Sequence, residues 1–181
     1  MKVAIFFASR TDNPIRNAMI GRYVGGGFLF VENSETSVCK IDAFYSRPGE
    51  EFYRRDFSVD KWRSLGFELE FLMLSLDEEE AINIRKTCEA CQKAHKQYSI
   101  QDMLLMLLPF RDPKEISLFD AETLNNVQAI ILILRECLNP DNPLRLALQG
   151  LNSRATFIVT VYDRFAPYTL PVLWSNLVKL T

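Results

Sequence analysis

The sequence predicts an α+β domain in which a mainly antiparallel sheet packs against one buried helix from the C-terminal half. Two patterns and a size argument predict it. Asp120 to Leu138, DAETLNNVQAIILILRECL, is apolar without a break from Ala129 to Leu134, so little of it can face water as a helix. Phe28 to Glu32 and Val38 to Phe44 are short apolar runs separated by turn residues, which reads as a hairpin with a loop of about five residues. A length of 181 residues suits one domain, able to bury about 70% of its unfolded surface.

In chain order, Lys2 to Ala8 reads as a first strand and SRTDNP as a turn. Pro14 suits the first turn of a short helix, Ile15 to Tyr23, which Gly25, Gly26 and Gly27 then break. After the hairpin, residues 45–60 form a long polar connection tied down by Phe52, Tyr53 and Phe57. Trp62 leads into a strand from Phe67 to Leu74, alternating apolar and acidic before turning fully apolar. Ser75 to Glu78 is an N-cap signature for a helix running from about Asp77 to Lys96, and Tyr98 to Leu108 reads as another. In the long apolar segment Asp120 suits an N-cap, Glu122 favours the positive end and Pro140 stops the helix. Its isoleucines would also suit a strand, but a pattern of about nineteen residues is too long for one. A helix from Leu144 to Leu151, a strand-like run from Ala155 to Tyr162 and an apolar tail over 163–181 docked on the body complete a single domain, 1–181.

Composition excludes several roles. A net charge of −2 without a basic tail argues against nucleic acid as a partner. No apolar run approaches the roughly 18 residues of a membrane span, and MKVAIFFASR is strand-like, not a signal peptide. Four cysteines at unpatterned spacings point to reduced thiols, hence to the cytoplasm or a virion and not to secretion.

Cys88, Cys91 and His95 are the first chemical constellation. On a helix these offsets fall within about 60° of one another, so three soft ligands could face one zinc ion, as in a zinc-stabilised interaction module. A fourth ligand is not indicated, and the simpler reading is two half-buried cysteines with a rim histidine. No metal or cofactor is therefore expected. Gly25-Gly26-Gly27 follows a helix and precedes a strand, the reverse of a phosphate loop, which leaves a hinge or a close backbone approach. No G-x-S-x-G is present for a serine hydrolase.

In element order the chain resembles the circularly permuted NlpC-like papain-fold family. KVAIFFASRTDNPIRNAMIGRY is similar to its opening strand and short helix, and WRSLGFELEFLMLSLDEEEAINIRK with QYSIQDML to its later strand and helix. NVQAIILILRE, Asn126 to Glu136, is similar to the buried helix that its catalytic cysteine opens, with Gln128 and Arg135 in matching places. The resemblance implies a permuted papain-like fold over residues 1–138. It puts Asn126, or Asn125 one register earlier, at the cysteine, Gly27 at the histidine, and Asp42 at the polar residue that orients the histidine. An amide and a glycine cannot make a reactive thiolate pair. The expectation is a catalytically degenerate domain, a pseudoenzyme that acts as a binding or structural component of a larger assembly, such as a virus particle, with a protein partner. An active cysteine hydrolase or acyltransferase is the alternative, and would require a thiol beside His95, the only imidazole.

Overall fold

The computed structural model describes residues 1–10, 12, 23–32, 40–46, 50–96, 118, 126–149 and 158–179. They form a six-stranded sheet in the order β4-β3-β2-β1-β5-β6, with every neighbouring pair antiparallel. The strands are β1 Lys2–Ser9, β2 Tyr23–Glu32, β3 Lys40–Tyr45, β4 Tyr53–Asp56, β5 Glu68–Leu74 and β6 Thr169–Val172. The helices are α1 Val59–Ser64, α2 Glu78–Lys93, α3 Asn126–Cys137, α4 Pro143–Ala147, α5 Ile158–Phe165 and α6 Trp174–Lys179. This mixture of helix and antiparallel sheet is the class the sequence predicts. The expected helix over 15–22, the hairpin loop over 33–37, the helix over 98–108 and the Asp120 cap lie outside the described residues.

Side chains alternate across a strand, so a sheet covered on both faces must be apolar at every position. β1 meets that demand. Its Val3, Ile5 and Phe7 join Phe28, Phe30, Phe44 and Leu72 on the face covered by α2, α3, α4 and α5. Ala4 and Phe6 join Leu29, Val31, Ala43, Tyr45 and Phe71 on the opposite face, where α1 and α6 bring Val59 and Leu177. The continuous run that marks β1 in the sequence is thus one strand serving two cores. α3 lies in the first core with Ile130, Ile131, Ile133 and Leu134 at 0–1% exposure.

Four local expectations change. The glycine run does not end an element; β2 runs through it from Tyr23. A Cβ at Gly27 would lie 2.4 Å from the Phe44 carbonyl oxygen and 2.9 Å from the Phe6 ring, so only glycine lets the strands close there. The supposed connection over 45–60 contains β4 and the start of α1, with Phe52 and Phe57 buried on opposite faces. α2 is capped two residues later than the SLDE signature places it. Asp77 accepts from the Glu80 N–H at 2.7 Å and Glu80 returns a bond to the Asp77 N–H at 3.2 Å. Finally, the run expected as a strand ending at Tyr162 is helical from Ile158 on, and Tyr162 and Phe165, three residues apart and so on one helix face, both pack against Phe7.

The C-terminal segment adds β6 to the edge of the sheet, and α6 packs Leu177 and the half-buried Trp174 against the second core. α4 is shorter than the sequence suggests, Pro143–Ala147, with Asn142 as its N-cap. The buried Glu80 carboxylate ties this corner together by accepting from the Asn139 N–H and the Asn142 side-chain amide, both at 2.9 Å.

Candidate functional site

The N-terminal end of α3 is assembled from α3, β2 and the end of β3. The Phe57 N–H donates to the Ile41 carbonyl, so odd-numbered residues of β3 turn their peptide groups toward β4 and even-numbered ones toward β2. Ser46 therefore faces β2, but the β2–β3 pairing ends at Phe28 with Phe44. Asn126 takes over there. The Ser46 N–H donates to Asn126 Oδ1 at 3.1 Å, and Asn126 Nδ2 donates to the Ser46 carbonyl at 2.9 Å. Its side-chain amide thus replaces a missing strand partner. Both residues are buried, Asn126 at 8% and Ser46 at 2% exposure. The Ser46 hydroxyl in turn donates to the Glu50 carbonyl at 2.7 Å.

The other residues singled out in the sequence are not brought to this point. Gly27 packs against Phe6, Phe44 and Tyr45. The glycine near Asn126 is Gly25, where a Cβ would sit 3.9 Å from Asn126 Nδ2. Gln128 is buried in the first turn of α3. Asp42 is buried four residues from Ser46 along β3, roughly 13 Å away at strand rise, with Lys40 Nζ 3.6 Å from its carboxylate.

Asp42 instead lines a cleft of about 1010 Å³ between β4 and the C-terminal turn of α2, together with Glu51, Phe52, Arg55, Asp56 and His95. α2 ends there in a Schellman arrangement. The Lys96 N–H reaches the Cys91 carbonyl, the His95 N–H reaches the Gln92 carbonyl, and His95 has φ 51°. That turn carries the imidazole off the helix face and out to Glu51, whose carboxylate is 2.9 Å from Nδ1. Cys88 and Cys91 point the other way, into the core. The zinc trio of the sequence therefore does not converge, and among the described residues no group of three or more His, Cys, Asp or Glu side chains could hold a metal ion. The spacing argument failed because His95 lies two residues past the last helical one.

The three described thiols are poorly placed as nucleophiles. Cys88, Cys91 and Cys137 are free and buried, and Cys39 lies outside the described residues. Burial, with a smaller push from Cys137 and against the pull of Lys96, raises the Cys91 thiol to about 11. Burial also raises Cys137, which stands at the far end of α3 with its Sγ 3.2 Å from Thr87 Oγ1. Two residues that shape these sites, Ser46 and Glu51, carry no sequence signal, since only the fold brings them to Asn126 and His95.

No protein-family model matches the chain, and no curated protein matches it. Among solved structures it is similar to the crystal structure of metalloprotein yiiX from Escherichia coli O157:H7, DUF1105, with a TM-score of 0.51 over 96% of both chains at 13% identity. At that identity the likeness is one of fold. No helix among the described residues is long and apolar enough to cross a membrane.

Proposed function

We propose that this chain is a catalytically degenerate domain of permuted papain-like type, acting as a binding or structural component of a larger protein assembly. One observation carries the reading. The position on the buried helix where the resemblance puts a nucleophile, Asn126, holds an amide whose oxygen and nitrogen both bind the Ser46 backbone. A group that completes a sheet ladder is a strut, and an amide has no pair of electrons fit for acyl transfer. The buried thiols and the outward-facing His95–Glu51 pair fit the same account. A virus particle is one assembly that such a component would suit, and a reducing compartment suits its free thiols.

The test is labelling of the native protein at neutral pH with a mild thiol electrophile, before and after denaturation. The expected result is negligible native labelling of Cys88, Cys91 and Cys137 and full labelling once unfolded, with no activity-dependent labelling and no loss of any hydrolysis when Cys39, Cys88, Cys91 and Cys137 are replaced by alanine in turn. Rapid stoichiometric labelling of one native cysteine, abolished by replacing His95, would establish an active thiol enzyme instead.

A further inference from the structure

Residues 158–179 wrap one edge of the sheet. α5 ends on the first-core face at Phe165, which is fully buried with its ring 6.5 Å from Phe7. A 3-10 turn over Ala166–Tyr168 leads to β6 on the edge, where Thr169 Oγ1 donates to the Phe165 carbonyl at 3.0 Å. α6 then lies on the opposite face, with Leu177 buried and the Trp174 ring 5.4 Å from Phe71 and 5.7 Å from Phe57.

Between these two anchors little is buried. From Ala166 to Lys179 only Leu177 is buried, and Val172 and Trp174 pack on the second core in part. Leu170 and Leu173 are 65% and 69% exposed, so these apolar side chains add little to the hold. β6 is four residues long, and Pro171 in it brings no N–H to a ladder. β5, by contrast, pairs with β1 at six positions against four with β6, and its Phe71, Leu72 and Leu74 belong to the two cores. A stretch with few buried contacts and a short, exposed ladder opens at lower cost than the elements beneath it.

We infer that residues 166–179 form a strap that opens as one unit about Phe165 while both cores stay folded. The ladder and the anchor are lost together, because Leu177 and Trp174 hold β6 on the edge from beyond it. Opening strips β6 from β5 and lifts Trp174 off Phe57 and Phe71. While the strap is closed, Pro171 blunts this edge against a further strand; once it opens, β5 presents an unpaired backbone there. The strap thus decides whether this end of the sheet is blunt or bare. The inference goes beyond the assembly role proposed above and does not depend on it.

The experiment is native-state hydrogen exchange on the full chain over a series of low urea concentrations. The amides of β6 and α6, with the β5 amides that face β6, are expected to share one protection factor. It should be at least about tenfold below that of amides between β1 and β2, with a smaller urea dependence. Two variants separate local from global opening. Ile130→Val in the first core raises the closed and open forms alike relative to the unfolded chain. It should lower protection in β1 and β2 about three- to tenfold and leave that of the strap unchanged. Leu177→Ala raises only the closed form, so it should lower the protection of strap and body by the same factor, about tenfold or more. Should Leu177→Ala fail to fold, the milder Ile130→Val carries the test alone. Strap amides protected as well as those of β1 and β2, strap protection that falls with Ile130→Val, or protection that grades from Lys179 back to Thr169 without a common value overturns the proposal.

Discussion

Replacing Asn126 with alanine would measure how much the amide strut holds. The substitution deletes both bonds between the amide and the backbone of Ser46, 3.1 and 2.9 Å long, at a residue only 2% exposed. Each buried bond lost costs about 1–2 kcal/mol, so the loss comes to about 2–4 kcal/mol. For a domain of 181 residues that lowers the melting temperature by about 5–15 °C. Urea unfolding should show the same loss as a lower midpoint at unchanged slope, since the surface exposed on unfolding hardly changes. Hydrogen exchange supplies the local reading: the Ser46 amide should be protected in the native protein and fast in the variant. A melting temperature within about 2 °C of the parent, with Ser46 still protected, would refute the reasoning and return Asn126 to the list of free site residues.

Four further outcomes are expected. Ile130→Ala and Leu134→Ala, each at 0–1% exposure in the first core, should each cost about 2–5 kcal/mol, seen by thermal melting. Cys91, raised to about 11 by burial, should resist alkylation at neutral pH. Because the folded state favours the neutral thiol, this residue's share of stability is complete below the unfolded pKa near 9 and fades as pH rises toward 11, which urea midpoints against pH will show. His95→Gly should leave stability within about 1 kcal/mol of the parent. Glycine fits the φ 51° turn better than histidine does, and the Glu51 contact it loses is exposed. Gly27→Ala should destabilise by about 1–3 kcal/mol through overpacking against Phe44, while Gly25→Ala, with 3.9 Å to its nearest neighbour, should be nearly neutral; equal melting temperatures for the two would contradict the geometry.

Elements that bury their own side chains were legible in the sequence. β1, the apolar part of β5 and α3 each carry an unbroken or regularly spaced apolar pattern that the two cores require. β4 was not legible, because YRRD has no alternation to read. It is held by its pairing with β3 and by Arg55 lying over Tyr53 and Tyr45, contacts that exist only once the fold has formed. α5 was misread for the opposite reason. Its β-branched run looks like a strand locally, and Phe165, which shows the helical period against Phe7, lies beyond the run.

The arrangement around Asn126 was not legible in the sequence. Asn126 could be singled out on the buried helix from the chain; its partner Ser46, 80 residues away, could not. Nor could sequence order show that β2 and β3 part beyond Phe28 and Phe44, the gap that gives the amide its work. The three glycines make the same point. At Gly27 the side chain is absent because Phe6, Phe44 and Tyr45 fill its space, so a histidine there would need the backbone of β3 to move. At Gly25 the space is open toward Asn126. Any attempt to build a thiol–imidazole pair at this helix end must therefore start from positions 25 and 126. It would also have to find Ser46 another partner, since a cysteine at 126 cannot both donate to its carbonyl and accept from its N–H as the amide does.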